Sequence, residues 1–275
     1  MSILVVDIGT SGVRSAIVLP DATIATEHRQ EVLPDTPAPG LVEFDATLMA
    51  TAVLATARAA LADSGPVDAV GIANQRASTI VWDRISGAPV APGLGWQDLR
   101  TLGDCLVFQA DGLRFAPNQS ATKIKHLLDN ADPDRNRNLC VGTVDSWIIW
   151  TLTEGAAHVT DASNAAVTGL YSVEALDWDD ELLAKLNIPR STLPTIVDSS
   201  GPIAPASALA GAPMICGIAG DQQASLIGQG CVRPGPAKIT FGTGGMLDLV
   251  LGPNPPTSAA RGNAGTFPIV AWQRG

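Results

Sequence analysis

Residues 3–12, with the sequence ILVVDIGTSG, constrain the fold more than any other stretch. An apolar strand-like run ends at Asp7 and then breaks into a turn of glycine and hydroxyl residues. A β-hairpin explains this pattern if Asp7 caps the turn and Gly9 and Gly12 adopt positive φ. A phosphate site is the sharper alternative, because backbone N–H groups of such a turn can face phosphate oxygens while a neighbouring carboxylate attracts Mg²⁺. The stretch alone leaves both interpretations open.

Composition narrows the class of protein. The 275 residues are 46% hydrophobic and 16% charged, which is typical of a globular chain. The net charge is −10 and no segment concentrates lysine or arginine, so we expect no nucleic-acid partner. The first residues lack the basic region of a signal peptide, and no apolar stretch approaches the roughly 18 residues of a membrane span. Together with widely spaced cysteines, which we expect to be reduced, this predicts a cytoplasmic protein without a membrane partner.

The order of the predicted elements favours an α/β fold. Apolar alternation predicts strands over 13–20 and 23–32 after the first strand. Asp45 is placed to cap a helix that ends at Gly65. A strand over 67–73 follows, and three strands, a helix and a strand predict a mixed sheet flanked by helices. Outside this unit, the sequence predicts a strand over 80–83 and helices over 120–130, 141–155 and 178–188.

A second glycine and threonine turn occurs late in the chain. Residues 212–230 pass from a buried strand into a helix that begins at Asp221, and 237–251 form a hairpin pattern with Gly-Thr-Gly-Gly at 242–245. A further strand is predicted over 265–272. Two such turns on opposite sides of a cleft hold a triphosphate in the actin-like, ribonuclease-H-like ATPases. The phosphate interpretation of the first turn therefore gains support.

Several stretches spread over almost the whole chain share their order with one family. They are VDIGTSGVRSAIV (6–18), GIANQRASTIVWD (71–83), GWQDLRT (95–101), SATKIKHLLD (120–129), VGTVDSWIIWTLTEGAAHVTDASNA (141–165), GIAGDQQASLIGQG (217–230) and ITFGTGG (239–245). In these stretches the chain resembles the FGGY family of carbohydrate kinases, most closely the glycerol-kinase-like branch. The resemblance implies two actin-like domains that hold ATP and the substrate in the cleft between them.

The resemblance implies that the two turns bind ATP and Mg²⁺. Phosphoryl transfer spreads negative charge over the transferred group in the transition state, so the site needs donors and cations. In the family pattern Asp7 is the carboxylate associated with Mg²⁺. The implied contacts of the phosphates are Thr10, Ser11, Gly12 and Arg14 in the first turn and Gly242, Thr243 and Gly244 in the second.

By the same resemblance Asp221 is the catalytic base and Gln222 binds a substrate hydroxyl. The N-terminal dipole of a helix that begins at Asp221 would favour the ionised carboxylate. A helix cap is the alternative role, and one carboxylate can serve both. General-base assistance is typically worth about 10²–10⁴ in rate.

Arg76, Trp96 and Asp98 are the other implied substrate contacts. Arg76 follows a buried strand, where a guanidinium can donate several hydrogen bonds to adjacent hydroxyls; the alternative is a surface arginine. Trp96 would form an apolar wall against the carbon skeleton and Asp98 would accept a hydroxyl hydrogen bond. A packed tryptophan and a helix cap explain this last pair nearly as well.

The chain departs from the glycerol-kinase pattern in two places. Ala77 stands where those kinases have Glu, and Asn118-Gln119 stand where they have Tyr-Phe. Loss of a charged acceptor from a buried polyol site would leave a hydroxyl unpaired, at a cost of about 1–3 kcal/mol. Smaller side chains at Ala77 and Asn118 also leave more volume. We therefore expect a ketose or a polyol larger than glycerol, with glycerol as the alternative.

The resemblance predicts an enzyme, a phosphotransferase with an alcohol acceptor, whose small-molecule partner is a sugar or polyol. Residues 1–235 correspond to the N-terminal sugar-binding domain that carries the base, and 236–275 to the opening strands of a nucleotide-binding domain. A complete kinase of this family is roughly twice as long, so we expect little turnover from this chain alone. The alternative is a non-catalytic sugar-binding or interaction domain. Strands after 236 would expose unpaired edges and apolar faces, so we expect them to be disordered, paired with a second copy of the chain or with a further domain, or a cause of poor solubility.

Overall fold

The structure is a computed structural model that describes residues 1–241, 245–254 and 266–275. The strands are β1 (Ile3–Ile8), β2 (Gly12–Val18), β3 (Ile24–Glu31), β4 (Glu43–Phe44), β5 (Ala69–Asn74), β6 (Thr79–Asp83), β7 (Gly93–Leu94), β8 (Leu139–Thr143), β9 (Val159–Asp161), β10 (Tyr171–Ser172), β11 (Asp177–Trp178), β12 (Thr195–Val197), β13 (Ser200–Pro205), β14 (Met214–Gly220), β15 (Ala237–Phe241) and β16 (Gly245–Leu249). The helices are α1 (Ala46–Ser64), α2 (Leu102–Ala110), α3 (Ala121–Ala131), α4 (Val144–Leu152), α5 (Ala162–Ala165), α6 (Asp180–Lys185) and α7 (Asp221–Gly228), with a 3₁₀ turn over Arg190–Thr192.

A mixed sheet of six strands organises the fold, in the order β13-β14-β5-β1-β2-β3. The meander β1-β2-β3 is antiparallel, β5 and β14 run parallel to β1, and β13 is antiparallel to β14. The crossover from β3 to β5 runs through α1, as a parallel pair requires. The prediction of an α/β fold with a mixed sheet flanked by helices is therefore confirmed.

Helix α1 covers one face of this sheet. The side chain of Asp45 accepts hydrogen bonds from the N–H groups of Thr47 and Leu48, and Gly65 ends the helix at φ +82°, as the sequence predicts. The Thr56 hydroxyl lies 2.8 Å from that of Ser15 on β2. By length and composition α1 is apolar enough to cross a membrane, which corrects our expectation that no apolar stretch approaches the length of a membrane span. Half of that stretch is nevertheless buried in the fold, as in the core helix of a globular domain.

The three parallel strands end at one edge of the sheet. Ile8 of β1 is paired with Asn74 of β5, and Asn74 is paired with Gly220 of β14. The residues that follow these positions must therefore emerge side by side. Carboxyl ends of parallel strands are where ligands bind in open α/β sheets.

A second core packs behind this edge, around the four-stranded sheet β4-β7-β6-β8. Helices α3 and α6 contribute buried leucines and isoleucines to it. The single helix predicted over 141–155 is wrong in its first part, because Leu139–Thr143 form a strand and the helix begins at Val144. Every residue of that strand is buried, so periodicity alone could not separate it from the helix that follows.

The last part of the chain forms a hairpin and an extended tail. β15 and β16 are paired from Ala237 with Leu249 to Phe241 with Gly245, as the hairpin pattern predicts. The strand predicted over 265–272 is not found in the described residues from 266 onward. The tail is instead held by the loop between β12 and β13, where the Ser199 N–H donates to the Gln273 carbonyl at 2.9 Å. Phe267 and Trp272 are partly exposed.

The first turn, residues 9–12, contains glycine for a reason other than the positive φ that the sequence predicts. Gly9 and Gly12 do not adopt positive φ. A Cβ atom on Gly12 would lie 2.6 Å from the Gln30 carbonyl oxygen of β3. Gly12 is thus required by the close approach of two strands, and not by the turn conformation.

Candidate active site

Asp221 and Arg76 form the centre of the site at the edge where the parallel strands end. Asp221 is the first residue of α7, directly after β14, and Arg76 lies two residues beyond β5. Arg76 Nε is 3.5 Å from Asp221 Oδ1. Burial raises the pKa of Asp221 above its ordinary value, whereas the charge of Arg76 and the N–H of Gln222 oppose the rise. The carboxylate is therefore a stronger proton acceptor than an exposed aspartate.

Gly220 allows this contact to form. A Cβ atom at this position would lie 2.6 Å from Arg76 Cδ and 2.7 Å from Arg76 Cγ. The arginine side chain thus lies directly across the glycine backbone and is only 15% exposed. Burial lowers the pKa of Arg76, while the charges of Asp221 and Asp248 act in the opposite direction.

Gln222 is held by one face of the hairpin. Its Oε1 accepts hydrogen bonds from Lys238 Nζ at 2.9 Å and from the Thr240 hydroxyl at 3.2 Å. Its side-chain acceptor is therefore already used, and a contact with a substrate hydroxyl would have to come from the Nε2 donor.

Asp7 and Arg14 lie across the same cleft on neighbouring strands. They are paired in the β1-β2 ladder, and Arg14 Nη2 donates to Asp7 Oδ2 at 2.6 Å. The cleft has a volume of about 350 Å³ and is lined by Asp7, Arg14, Glu27, Asp221 and Ser225 together with apolar residues of the sheet. The structure therefore brings the implied metal carboxylate and the implied base to one cavity. The charge of Asp7 is also one of the causes that raise the pKa of Asp221.

The turn over residues 9–12 is tied to the Trp96 loop. Trp96 Nε1 donates to the Thr10 hydroxyl at 3.1 Å, and the Trp96 N–H donates to the Ser78 hydroxyl. Lys123, fully buried on α3, donates to the Trp96 carbonyl at 3.2 Å. Trp96 is 39% exposed and Ser11 is exposed, so both can meet a ligand.

Asp98 is not presented to the cleft. It is fully buried, and its carboxylate accepts hydrogen bonds from the N–H groups of Val42 and Arg100. Both oxygens also accept from the Arg100 guanidinium, at 2.8 and 2.9 Å. This geometry favours a structural role over a contact with substrate, but the helix cap that the sequence left open is not found, since α2 begins at Leu102 with Thr101 at its N-cap.

The two positions that depart from the family pattern differ in their exposure. Ala77 is buried at φ +62°, and its carbonyl accepts hydrogen bonds from the Ser120 and Thr79 hydroxyls. Asn118 lies on the surface. Gly242, Thr243 and Gly244, the implied second phosphate turn, lie outside the described residues.

The sequence did not single out the hairpin residues that cover Arg76. Lys238 is paired with Asp248 and Thr240 with Met246, so all four side chains project from one face. Met246 Sδ is 3.7 Å from Arg76 Nη2, and Asp248 Oδ2 is 3.5 Å from Lys238 Nζ. The alternation of apolar and polar residues in AKITF (237–241), the first strand of the hairpin, was the available signal.

Asp7 fits a magnesium site of the nucleotide-bound kind. The described part of the chain contains no group of three or more His, Cys, Asp or Glu side chains placed to hold a metal ion. Mg²⁺ that arrives with a nucleotide needs only one or two carboxylates, because water and phosphate oxygens complete its shell. A partly exposed aspartate in a cleft, with an arginine beside it for the phosphates, meets that requirement.

Comparison with known proteins places this arrangement in a family. The sequence model of the N-terminal domain of the FGGY family of carbohydrate kinases matches residues 2–228. The chain is 42% identical to glycerol kinases from Dechloromonas aromatica and Methylobacterium nodulans, with 99% of this chain aligned in each case. It spans only 57% and 58% of the length of these two relatives.

Solved structures show the same fold. A glycerol kinase from Plasmodium falciparum with ADP matches 99% of this chain and 58% of its own, with a TM-score of 0.89 and 25% identity. A xylulose kinase from Rhodospirillum rubrum matches 90% of this chain and 54% of its own, with a TM-score of 0.81 and 18% identity, which bears on the fold alone. The chain belongs to the FGGY family of carbohydrate kinases.

Proposed function

We propose that the whole protein transfers the γ-phosphate of ATP to a hydroxyl of a small polyol and that this chain supplies the acceptor site and the base. The observation that carries the proposal is the contact of 3.5 Å between Arg76 Nε and Asp221 Oδ1, because Asp221 also lines the cavity that contains Asp7. A half-buried carboxylate beside a guanidinium can accept a proton while the arginine binds neighbouring hydroxyls.

Asp221 acts as the general base in this proposal. It takes the proton of the acceptor hydroxyl as that oxygen forms its bond to the γ-phosphorus and the bond to the β-phosphate oxygen breaks. Its raised pKa strengthens it as an acceptor, and the half-buried position limits competition from water. Arg76 orients the acceptor, because its side chain is fixed against Gly220 and its guanidinium can donate to a hydroxyl bound beside Asp221.

The first turn supplies the contacts of the phosphates. Thr10 and Ser11 offer hydroxyls, Gly12 allows backbone approach, and Arg14 offers a guanidinium. A Mg²⁺ ion at Asp7 would neutralise phosphate charge when the nucleotide is bound. Arg14 already pairs with Asp7, so this cation would share the carboxylate with the guanidinium.

Glycerol is the first acceptor to test. Both relatives reported above are glycerol kinases and are 42% identical to this chain. A larger polyol or ketose is the second candidate, and a specific observation favours it: Ala77 is buried and carries no acceptor side chain where the pattern predicts Glu. If glycerol is the acceptor, it should bind more tightly than the larger polyols and ketoses. If a larger acceptor is the substrate, the order should be reversed in the same assay.

We assign residues 1–235 to the acceptor domain and 236–275 to the start of the nucleotide domain. The family match, which covers residues 2–228, and the hairpin that begins at Ala237 support this division. Because the relatives are much longer than this chain, we propose acceptor binding with little turnover for the 275 residues alone.

A binding and turnover panel tests these proposals. Calorimetry of the chain with glycerol, erythritol, xylulose and ribulose gives the acceptor ranking, and ADP release gives turnover. We expect binding that Arg76→Gln weakens, and turnover that Asp221→Asn reduces to background wherever it occurs. Asp134→Asn, which changes an exposed aspartate, is the control. Absence of binding to every acceptor would refute the acceptor site. Robust turnover by the 275 residues would refute the proposal that they bind the acceptor with little turnover on their own.

A further inference from the structure

A buried carboxylate outside the cleft connects the two strand ends that carry Arg76 and Asp221. Asp161 ends β9 and is fully buried. Its Oδ1 accepts hydrogen bonds from the Ser163 hydroxyl at 2.8 Å and from the Asn164 N–H and Nδ2, each at 3.0 Å. Its Oδ2 accepts from the Ser199 hydroxyl at 2.6 Å. All of these partners donate, so both side-chain oxygens of residue 161 must accept hydrogen bonds.

One branch of this network reaches the base. The Ser163 hydroxyl uses its proton on Asp161, and its oxygen accepts the Gly220 N–H at 2.9 Å. Gly220 directly precedes Asp221 and is the residue on which Arg76 packs. The carboxylate thereby fixes the direction of the hydroxyl that holds the last residue of β14.

A second branch reaches the arginine. Asn164 Nδ2 donates to Asp161, which sets the orientation of this amide and leaves its Oδ1 to face β5. Asn74 Nδ2 donates to that oxygen at 2.9 Å, and Asn164 Nδ2 donates in return to Asn74 Oδ1 at 3.2 Å. Asn74 is the last residue of β5, two positions before Arg76. The same carboxylate therefore sets the positions of both strand ends.

The third branch reaches the tail of the chain. The Ser199 hydroxyl donates to Asp161 and accepts the Gln273 N–H at 3.1 Å. Gln223 Nε2 on α7 donates to the Val270 carbonyl at 3.2 Å. The tail thus contacts the helix of the base both directly and through Asp161.

We propose that Asp161 is a positioning residue that aligns Arg76 with Asp221 through Asn164 and Ser163. This inference rests on the proposed function of the pair, but its structural part is independent of any ligand. It predicts that removal of the hydrogen bonds made by Asp161 or by Ser163 loosens the ends of β5 and β14, although neither residue lines the cleft.

Two pairs of matched variants test the proposal. Asp161→Asn turns one acceptor into a donor that faces donors, and Ser163→Ala removes the acceptor of the Gly220 N–H. Asp132→Asn is the control for the first, since Asp132 is also buried and its carboxylate accepts from the N–H groups of Asn136 and Arg137. Ser146→Ala is the control for the second, since the buried Ser146 hydroxyl has no hydrogen-bond partner in the described part of the chain.

Amide hydrogen exchange at Gly220 and calorimetry with glycerol are the readouts. We expect Asp161→Asn and Ser163→Ala to accelerate Gly220 exchange by at least about tenfold and to weaken glycerol binding by a similar factor, while both controls leave these quantities within about twofold. Ser163→Thr, which keeps the hydroxyl, should restore slow exchange. If Asp161→Asn does not fold, Gly220 exchange and glycerol binding in Ser163→Ala decide whether the network positions the pair.

Two outcomes separate this inference from the proposed function. Unchanged Gly220 exchange in Ser163→Ala, or equal weakening of glycerol binding in Asp132→Asn and Asp161→Asn, would overturn the positioning role. If the unaltered chain does not bind glycerol, the choice of glycerol as acceptor fails. Gly220 exchange and the Arg76 Nε–H resonance, which should shift in Asp161→Asn and not in Asp132→Asn, then still decide the alignment.

Discussion

Arg76 Nε lies 3.5 Å from Asp221 Oδ1, across a glycine that has no room for a side chain. The two residues are far apart in sequence and come from different strands. They meet because β5 and β14 are parallel neighbours whose last residues, Asn74 and Gly220, are paired. A cation and a carboxylate at this distance stabilise each other's charged forms in a half-buried cleft. Four predictions follow from this geometry and from the buried acids around it.

Gly220→Ala should displace Arg76. The new Cβ would lie 2.6 Å from Arg76 Cδ, so the side chain has to move away from Asp221. We expect a loss of about 1–3 kcal/mol in the free energy of unfolding and at least tenfold weaker polyol binding. Gly71→Ala on the adjacent strand is the control, because a Cβ there meets nothing within 4 Å. Urea unfolding and calorimetry measure both effects, and tight binding by Gly220→Ala would contradict the assigned role of Arg76.

Arg76→Gln should raise the pKa of Asp221 further. Burial raises this pKa and the charge of Arg76 lowers it, so removal of the charge leaves the first effect less opposed. Carboxyl ¹³C NMR titration reports the change directly. Where turnover is measurable, activity that needs ionised Asp221 is lost as the pH falls, and this loss should begin at higher pH in the variant.

Arg84→Gln is the control for that titration. Arg84 donates to Asn138, Leu139 and Ser191 and does not line the cleft. It should leave the Asp221 titration unchanged. A pKa for Asp221 that stays constant or falls in Arg76→Gln would show that the ion pair does not control the carboxylate.

Asp98→Asn separates a structural role from a substrate contact. The buried carboxylate accepts from two backbone N–H groups and from Arg100, and an amide would turn a donor toward these donors. Breaking a buried ion pair typically costs about 3–5 kcal/mol. We expect a loss in unfolding free energy toward the lower end of this range, with polyol affinity of the folded protein unchanged. A stable variant with weak polyol binding would instead place Asp98 at the substrate.

The sequence could predict the parts of the site that depend on local pattern. The strand that ends near Asp7, the turn after it and the helix that begins at Asp221 all follow from apolar runs broken by glycine. Parallel neighbours in an α/β sheet then bring such strand ends together. The resemblance to a family supplied the chemical roles, which no spacing of residues could have shown.

Long-range contacts were beyond prediction because they depend on register and burial. Asp98 and Arg100 are only two residues apart, yet nothing local shows that Val42 completes the shell of the carboxylate. The role of Asp161 likewise depends on Ser199, which donates to it from the loop before β13, and on Asn74, which is linked to it through Asn164. Gly12 was predicted to adopt positive φ, but glycine is needed there because the Gln30 carbonyl on the neighbouring strand leaves no room for a side chain.

Asp145 should make stability depend on pH in the mildly acidic range. Burial raises the pKa of this fully buried carboxyl to about 6, despite hydrogen bonds from the Thr143 and Thr160 hydroxyls. Because the folded pKa lies above the unfolded value of 3.8, the folded state holds the proton more tightly between these values. The free energy of unfolding should therefore decrease by about 2–3 kcal/mol through this group as the pH rises from about 4 to above 6.

Asp145→Asn removes the titrating group and should flatten that slope. Urea unfolding of the unaltered chain and the variant at pH 4, 5, 6 and 7 measures the difference, in which contributions from groups that do not interact with Asp145 cancel. Asp134→Asn, which changes an exposed acid, should keep the slope of the unaltered chain. Parallel curves for the unaltered chain and Asp145→Asn would mean that Asp145 keeps an ordinary pKa in the folded state, and the hydroxyls of Thr143 and Thr160 would then have to offset its burial completely.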